Sequence, residues 1–436
     1  MKQLWRKLDD DLCYQAVSDF MKNGKFRRSD VLSDIEEWTG YSRYEVIDND
    51  INNKAHAFKL RYEIMTERAM VLREMIDDIC NDIDPEFDPV LLSKRPDGNT
   101  GKVRDIAYLC VRMQMLGHAL RLGLAPLFQA RFLPFQNASI PGRGPANLAR
   151  QLKRKLDKLL GIQYFVKTDC TSAYKSTMYT RILAIMIREI PRADWIHKSL
   201  MLMEKYAPGG HLIIGGYLDA FLFSFVMSYA MRYVLQQYYS RRGHQIPMII
   251  CMYTYMDDCV MLGSSEKALD LAVRRCREWL MQSHAIRMRQ TTGVIRLWSI
   301  ADEKAHKSRS SPAARGCPMI DIAGFRVSRT HITLRKRNNR RCIRSLTRSW
   351  NRYQRTGTIK HQQANSIISR NGMMRVADCY RMREKYHLEQ LLVIARKIKS
   401  FWSKAENTRR ERGMQHVLER YRRYCKTGFG IDVCVA

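Results

Sequence analysis

The segment MIICMYTYMDDCVMLGSS, residues 248–265, constrains the fold more than any other part of the sequence. Apolar residues run up to Tyr255-Met256-Asp257-Asp258 and resume directly afterwards, a pattern typical of two buried strands joined by a tight turn. Burying the two unpaired carboxylates of that turn costs free energy, which a divalent cation held by oxygen ligands relieves. A metal site and a solvated turn, where Asp is common, are both open interpretations of this segment alone.

The chain carries a large excess of positive charge. Its 436 residues include 75 Lys and Arg against 43 Asp and Glu, a formal net charge of +32 at pH 7. Such a charge causes self-repulsion unless an anionic partner lies against the protein. Nucleic acid fits better than a membrane, because the sequence shows no apolar run of transmembrane length and no apolar leader. We therefore expect a cytoplasmic nucleic-acid-binding protein that does not associate with membranes.

The cysteines predict neither a zinc site nor a disulfide framework. The sequence contains 12 of them and no CxxC pair. Most lie inside apolar runs, as Cys110, Cys251 and Cys259 do. They are typical of small core residues in a reducing cytosol.

Another acid stands at the end of a predicted strand. Residues 163–169, QYFVKTD, are rich in aromatic and branched residues and end on Asp169. Side chains at the point where a strand exits into a turn often belong to active sites. An Asp that caps the following helix is the competing interpretation.

Basic residues accompany two predicted turns ahead of that strand. Residues 93–107 predict a hairpin that carries four of them: Lys94, Arg95, Lys102 and Arg104. Such side chains can clamp phosphates, although a solvated loop in a generally basic protein fits at least as well. Glycines on both sides of Arg143 would let a polymer backbone approach closely.

The acids suggest one shared site. If Asp169 and Asp257 lie on adjacent strands, their carboxylates can bridge two Mg²⁺ ions about 3.5–4 Å apart. That arrangement activates a 3′-hydroxyl and stabilises a leaving pyrophosphate, which is the chemistry of a polymerase.

Two motifs resemble those of reverse transcriptases. Residues 255–258 match their YxDD motif, and residues 166–174, VKTDCTSAY, are similar to their first palm motif, in which an aromatic follows a metal-binding acid by five residues. The order of segments from 91 to 335 is similar to their fingers and palm. Viral RNA polymerases share the palm but usually carry Gly-Asp-Asp and no aromatic gate, so Met256 and Tyr174 favour reverse transcriptases.

The resemblance implies an α+β right-hand polymerase fold with fingers, a palm of antiparallel sheet and helices, and an all-helical basic thumb or C-terminal region. The implied domains are an N-terminal helical extension at 1–90, fingers with part of the palm at 91–160, the palm with the catalytic motifs at 161–330, and a C-terminal RNA-binding region at 331–436. Arg and Lys alternate with aromatics in this last region, which is typical of a nucleic-acid channel, although many of those aromatics fit a core.

The resemblance also implies roles for individual residues. Asp169, Asp257 and Asp258 are the catalytic acids, and with Cys170, through its backbone carbonyl, they bind two Mg²⁺ ions, for which Mn²⁺ can substitute. Tyr174 is the steric gate that selects dNTPs by clashing with a ribose 2′-hydroxyl.

Substrate contacts follow from the same resemblance. The incoming triphosphate is bound by Lys102 and Arg104, and either Lys304 or Lys307 takes the place of the lysine that protonates pyrophosphate. The residues assigned to template and primer are Arg143, Gly215, Gly216, Tyr255, Met256, Gly324 and Phe325.

Among reverse transcriptases, the sequence is most similar to the bacterial defence-associated (Abi-like) and diversity-generating retroelement groups. It shows neither the Cys-rich tail of group II intron enzymes nor the NAxxH and VTG signatures of retrons. Residues 214–218 resemble the glycine-containing motif of diversity-generating enzymes, but Asp219-Ala220 replaces their Ser-Gln.

We expect an RNA-directed DNA polymerase that copies a dedicated, structured non-coding RNA into DNA in bacterial anti-phage defence. The alternatives are a diversity-generating enzyme, a template-independent DNA polymerase, and an RNA-binding protein on an inactive polymerase fold.

Overall fold

The protein is described by a computed structural model at residues 3–22, 25–40, 42, 46, 54–96, 103–305 and 316–401. These residues form two compact units. The first unit is drawn from Met1–Phe20, Met70–Arg341 and Gly372–Tyr380, and the second from Met21–Ala69, Cys342–Asn371 and Arg381–Ala436. The acids singled out in the sequence all lie in the first unit.

Helices make up most of the regular structure. In chain order they are α1 (Asp10–Met21), α2 (Ser29–Thr39), α3 (Lys54–Cys80), α4 (Val111–Gly123), α5 (Ala125–Arg131), α6 (Pro145–Lys158), α7 (Ala173–Ser176), α8 (Tyr179–Glu189), α9 (Asp194–Tyr206), α10 (Asp219–Leu235), α11 (Glu266–His284), α12 (Ile300–Ala305), α13 (Lys336–Thr356), α14 (His361–Met374) and α15 (Tyr380–Lys385). Within the described ranges, none is both long and apolar enough to cross a bilayer.

The strands of the described residues form four sheets. They are β1 (Leu91–Pro96), β2 (Val103–Tyr108), β3 (Gln136–Asn137), β4 (Tyr164–Thr171), β5 (Tyr238–Arg241), β6 (His244–Pro247), β7 (Cys251–Tyr255), β8 (Asp258–Gly263), β9 (Arg287–Gln290), β10 (Ile295–Arg296), β11 (Ile320–Ile322), β12 (Phe325–Val327) and β13 (Ile332–Leu334). The largest sheet has the order β10-β4-β8-β7-β3, and β9 also pairs with β4. Its pairings are antiparallel except for the parallel pair of β3 and β7.

The hairpin of β7 and β8 is buried, as its apolar sequence predicts. Every residue of Cys251–Thr254 and Cys259–Gly263 is buried. Helix α11 packs on β4, β8 and β9, whereas α10 and α6 pack on β7. Because apolar side chains cover the sheet in this way, its strands read as near-continuous hydrophobic runs.

Other predicted elements are confirmed as well. The strand predicted at 163–169 is β4, and the basic hairpin is the antiparallel pair of β1 and β2, in which Arg95 lies opposite Arg104. Residues 97–102, which include Lys102, lie outside the described residues. The mixture of helix and sheet agrees with the predicted α+β class, and the division into fingers, palm and thumb stays a prediction.

Most described cysteines are buried in the core, as predicted, whereas Cys80 and Cys110 are half-buried. Every cysteine in the described ranges is a free thiol. Cys251 and Cys259 are fully buried in the hairpin of β7 and β8.

Hydrogen bonds made by two buried charged residues, Glu303 and Arg329, tie the three-stranded sheet of β11, β12 and β13 to the larger one. Glu303, which is 1% exposed, accepts hydrogen bonds from the backbone N–H groups of Arg329 and Thr330 at 3.0 and 3.1 Å. The guanidinium of Arg329 donates to the carbonyls of Trp298, at 2.9 Å, and Ile162. Ile162 lies two residues before the start of β4. These hydrogen bonds therefore fix the small sheet relative to the strand that carries Asp169.

Candidate active site

The three acids meet where β4 and β8 pair. In the antiparallel register, Asp169 lies directly opposite Asp258, the first residue of β8. Side chains alternate along a strand, so Lys167 and Asp169 share one face of β4, whereas Thr168 and Cys170 are buried on the other. The two acidic segments therefore lie on adjacent strands, which is the condition set for a shared site.

A two-residue turn places Asp257 beside β4. Tyr255 pairs with Asp258, which leaves Met256 and Asp257 between the strands. Met256 has a φ of +53°, as the tight turns of two-residue hairpins require at this position. The backbone N–H of Cys170 donates to the carbonyl of Asp257 at 3.1 Å, so the turn is bonded to β4.

Two of the three acids are held by basic side chains. Lys167 Nζ lies 3.0 Å from Asp258 Oδ1. Arg289 donates to Asp169 Oδ2 from both Nε, at 3.0 Å, and Nη2, at 2.7 Å. By contrast, burial and the neighbouring carboxylates of Asp169 and Asp258 raise the pKa of Asp257 above its usual range. The ionised form of Asp257 is thus destabilised relative to that of a solvated carboxylate.

The donor set fits divalent cations. Carboxylate and carbonyl oxygens are the ligands that Mg²⁺ and Mn²⁺ prefer, and a cation beside Asp257 would relieve the electrostatic cost of ionising that carboxyl. As the side chains stand, no three His, Cys, Asp or Glu side chains in the described ranges converge closely enough to hold an ion. Asp169 Oδ2 points to Arg289 and Asp258 Oδ1 to Lys167. A cation that took either of these two oxygens as a ligand would have to displace the basic side chain bound there.

Tyr174 lies near the acids, as its proposed role requires. Its half-buried ring stacks on Phe223, with centroids 5.7 Å apart and planes at 18°. Burial and the carboxylates of Asp219 and Asp257 raise the pKa of its hydroxyl, so the side chain stays neutral. A rigidly stacked, neutral ring beside Asp257 is suited to exclude a bulky substituent sterically.

The glycine pair ahead of α10 has a packing reason. Gly215 has a φ of +120°, and a Cβ there would lie 2.4 Å from the carbonyl oxygen of Ala107 in β2. A Cβ on Gly216 would lie 1.8 Å from Asp219 Oδ2. Both positions need glycine because the backbone passes so close to its neighbours. Template contact by these glycines stays a prediction.

Asp219 is a buried acid that the sequence did not single out as a site residue. It is 0% exposed, and its Oδ1 accepts from the backbone N–H of Ile213 at 2.8 Å and from the Tyr179 hydroxyl at 3.1 Å. Its Oδ2 has no hydrogen-bond partner among the described residues. Burial raises the pKa of Asp219 to about 6. The sequence feature that could have drawn attention to Asp219 is its position as an acid at the start of a mostly apolar helix.

Arg104 and Arg143, both assigned to substrates, lie in different settings. Arg104 is exposed on β2, a strand joined to the segment of Tyr174 by an ion pair of 2.7 Å between Asp105 and Lys175. Arg143 instead donates to the carbonyl oxygens of Leu133, at 2.6 Å, and of Gln136, at 3.5 Å. One nitrogen of Arg143 is thus engaged in holding the loop that leads into β3, beside the hairpin.

Gly324 lies in the two-residue turn between β11 and β12, and Phe325 is the first residue of β12. Gly324 has a φ of +87°, and Phe325 is buried at 1% exposure. Lys304 is exposed on α12, and within the described ranges no ion pair joins it to Asp169, Asp257 or Asp258; Lys307 lies outside those ranges. The cation beside Asp169 is Arg289, which sequence reasoning missed. Its signal was the alternation of basic and apolar residues in Arg287-Met288-Arg289, typical of a half-buried strand.

Comparison with known families matches one segment of the chain. Residues 92–290 match the family model described as reverse transcriptase (RNA-dependent DNA polymerase). The matched segment includes β4, the hairpin of β7 and β8, and β9. No match occurs among curated proteins.

The burial of Asp219 predicts a pH-dependent stability. Its folded pKa of about 6 exceeds the value of about 3.9 expected in the unfolded chain. Its contribution to stability is therefore fully present below pH of about 4 and is lost as the pH rises through about 6. The difference in free energy of unfolding between the isosteric variant Asp219→Asn and the wild type should therefore grow in favour of the variant. Between pH 5 and pH 8 this growth should be on the order of 1–2 kcal/mol.

Urea unfolding of both proteins at several pH values measures this difference. Asp270→Asn, which removes a half-exposed carboxylate on α11, is the control and should show no such trend. Parallel stability curves for wild type and Asp219→Asn would contradict the raised pKa.

Proposed function

We propose that this chain, an RNA-directed DNA polymerase and nucleotidyltransferase by its reverse transcriptase domain at residues 92–290, holds two divalent cations, Mg²⁺ by preference, with Asp169, Asp257 and Asp258. Its substrates are an RNA template and dNTPs, and its product is DNA. The proposal on the cations depends chiefly on one observation: the register that sets Asp169 opposite Asp258, with the turn of Asp257 hydrogen-bonded to β4.

The chemistry follows from the donors and their neighbours. Divalent cations bound at these acids activate the 3′-hydroxyl and stabilise the leaving pyrophosphate. Lys167 holds the carboxylate of Asp258 through its ion pair at 3.0 Å. The bond from Cys170 N–H to Asp257 fixes the turn, so the acids need little rearrangement of the backbone during the reaction.

Replacing Asp257 by Asn tests the assignment of the acids. Burial already disfavours the charged form of Asp257, so the neutral variant should fold at least as well as the wild type. It should lower dNTP incorporation on an RNA template by at least about a hundredfold, since metal stabilisation of the transition state is worth several kcal/mol. RNA affinity should change little. Primer extension and filter binding measure the two effects.

Asp270→Asn is the matched control, because it removes one carboxylate from α11 in the same unit. It should keep full incorporation. Undiminished synthesis by Asp257→Asn would sink the catalytic assignment.

Tyr174 is proposed as the gate against ribonucleotides. Its ring is held by Phe223 and lies near Asp257, where the sugar of an incoming nucleotide would come close to the cations. Tyr174→Ala should therefore reduce the preference for dNTPs over rNTPs by about tenfold or more, because removal of the ring opens space for the 2′-hydroxyl.

The matched control for the gate is Tyr174→Phe, which keeps the ring and should keep the preference. Incorporation of each nucleotide by a purified variant measures the ratio. An unchanged ratio in Tyr174→Ala would make Tyr174 a packing residue.

We further propose fingers at 91–160, a palm at 161–330 and an RNA-binding thumb from 331 onward. Support comes from α13, which contains no acidic residue. Exposed arginines recur along one face of this helix at intervals of three or four residues, except that Asn351 takes one position in the series. They are Arg337, Arg340, Arg344, Arg348 and Arg355. This stripe is about 27 Å long, at 1.5 Å per residue, and can neutralise a series of phosphates.

The RNA is proposed to be a dedicated, structured non-coding RNA copied in bacterial anti-phage defence. The resemblance to defence-associated enzymes and the basic stripe of α13 support this role. Sequencing of nucleic acid that co-purifies with the chain should yield one enriched RNA and DNA complementary to it. The Asp257→Asn variant should retain the RNA without the DNA, and its cells should lose protection against phage. DNA with no complementary RNA would indicate synthesis without a template.

A further inference from the structure

Asp169 occupies the middle of a row of three charged residues that crosses three strands. On one side β8 places Asp258 directly opposite it, and on the other side β9 places Arg289 directly opposite it. Residues paired in this way have their side chains on the same face of the sheet. The strand register therefore brings two acidic side chains and one basic side chain together near the end of β4.

The contact between Arg289 and Asp169 is concentrated on one atom. Both Nε and Nη2 of Arg289 donate to Asp169 Oδ2, at 3.0 and 2.7 Å. The Asp169 side chain is 17% exposed, whereas that of Arg289 is 60% exposed. The carboxylate is thus held within the site by a guanidinium that reaches in from solvent.

Arg289 and a divalent cation compete for the same oxygen. A cation that takes Asp169 Oδ2 as a ligand also meets the positive charge of Arg289 within a few ångströms. At that distance, the repulsion between the guanidinium and a divalent cation is larger than the free energy of fixing one carboxylate rotamer. Arg289 therefore opposes cation binding more strongly than it assists it by orienting Asp169.

We propose that Arg289 is a positioning residue that acts through Asp169: it holds this carboxylate in place and sets how much divalent cation the site requires. The inference rests on the proposed function, because it takes Asp169 as a cation ligand. Asp169 would hold the cation through Oδ2 in place of the two N–H donors, and the guanidinium of Arg289 would be free to move into the solvent, to which its side chain is already 60% exposed.

Mn²⁺ binding to the whole purified protein tests the inference without reference to activity. The free Mn²⁺ concentration, measured by its electron paramagnetic resonance signal, gives the affinity. Arg289→Gln should bind Mn²⁺ about three- to tenfold more tightly than the wild type, because it removes a partly screened charge contact. Arg289→Lys, which keeps the charge but not the fork of donors, should stay within about twofold of the wild type.

Arg287→Gln is the matched control. Arg287 is exposed on the same strand, two residues earlier, and lies opposite Thr171 instead of an acid. Its replacement removes the same charge from the same face of β9 and should change Mn²⁺ affinity by less than about twofold, because solvent and salt screen the longer distance. An equal gain in both Gln variants would overturn the inference, as would unchanged or weaker binding by Arg289→Gln.

The variant Asp169→Asn distinguishes a failure of the proposed cation site from a failure of the role proposed for Arg289. If this variant binds Mn²⁺ as tightly as the wild type, the cation site and with it the proposed function fail. If it loses Mn²⁺ binding while Arg289→Gln leaves the affinity unchanged, the role of Arg289 alone fails.

Discussion

The hydrogen-bond ladder between β4 and β8 runs from the pair of Tyr164 and Gly263 to the pair of Asp169 and Asp258. A shift of this ladder by one residue would turn Asp169 toward the core and Thr168 toward the acids, because side chains alternate along a strand. Thr168 and Cys170 are buried on the opposite face of β4, so such a shift would bury the charges of Lys167 and Asp169 in their place. Apolar burial within the sheet therefore determines where the carboxylates lie.

Charge compensation explains the contacts that the three acids make with their neighbours. Three carboxylates close together repel one another, and the structure meets this cost in two ways. Lys167 and Arg289 pair with Asp258 and Asp169, whereas the pKa of Asp257 is raised by its neighbours and by burial. The same features that make the acids costly without cations make the site receptive to them. A chain with a net charge of +32 can hold such a cluster while its outer surface attracts nucleic acid.

Local sequence patterns predicted much of the fold and the segments that bring the three acids together. The buried hairpin, β4 and the basic pair of β1 and β2 each follow from apolar alternation and turn residues within about 20 residues of sequence. The partners of the acids did not follow in this way. Arg289 faces Asp169 only because β9 pairs with β4, an arrangement of segments about 120 residues apart that no local pattern encodes.

Two further residues show why roles are harder to predict than elements. Arg143 was expected to face the template, but part of its guanidinium bonds to nearby carbonyl groups, a choice set by the loop's own geometry. Asp219 departs from the glycine-containing motif that residues 214–218 resemble, and the sequence could not show that it is completely buried beside Gly216. In both cases the tertiary surroundings of one side chain, and not its residue type, decide what it can contact.

The most direct test of the catalytic site is crystallographic. Crystals grown with a primer annealed to an RNA template, a non-hydrolysable dNTP analogue and Mn²⁺ would reveal the cations by their anomalous scattering. The account predicts two peaks about 3.5–4 Å apart that are bridged by Asp169 and Asp257, with Asp169 Oδ2 no longer bonded to Arg289. Peaks at other residues, or Mn²⁺ absent from these acids while the nucleotide is bound, would contradict it.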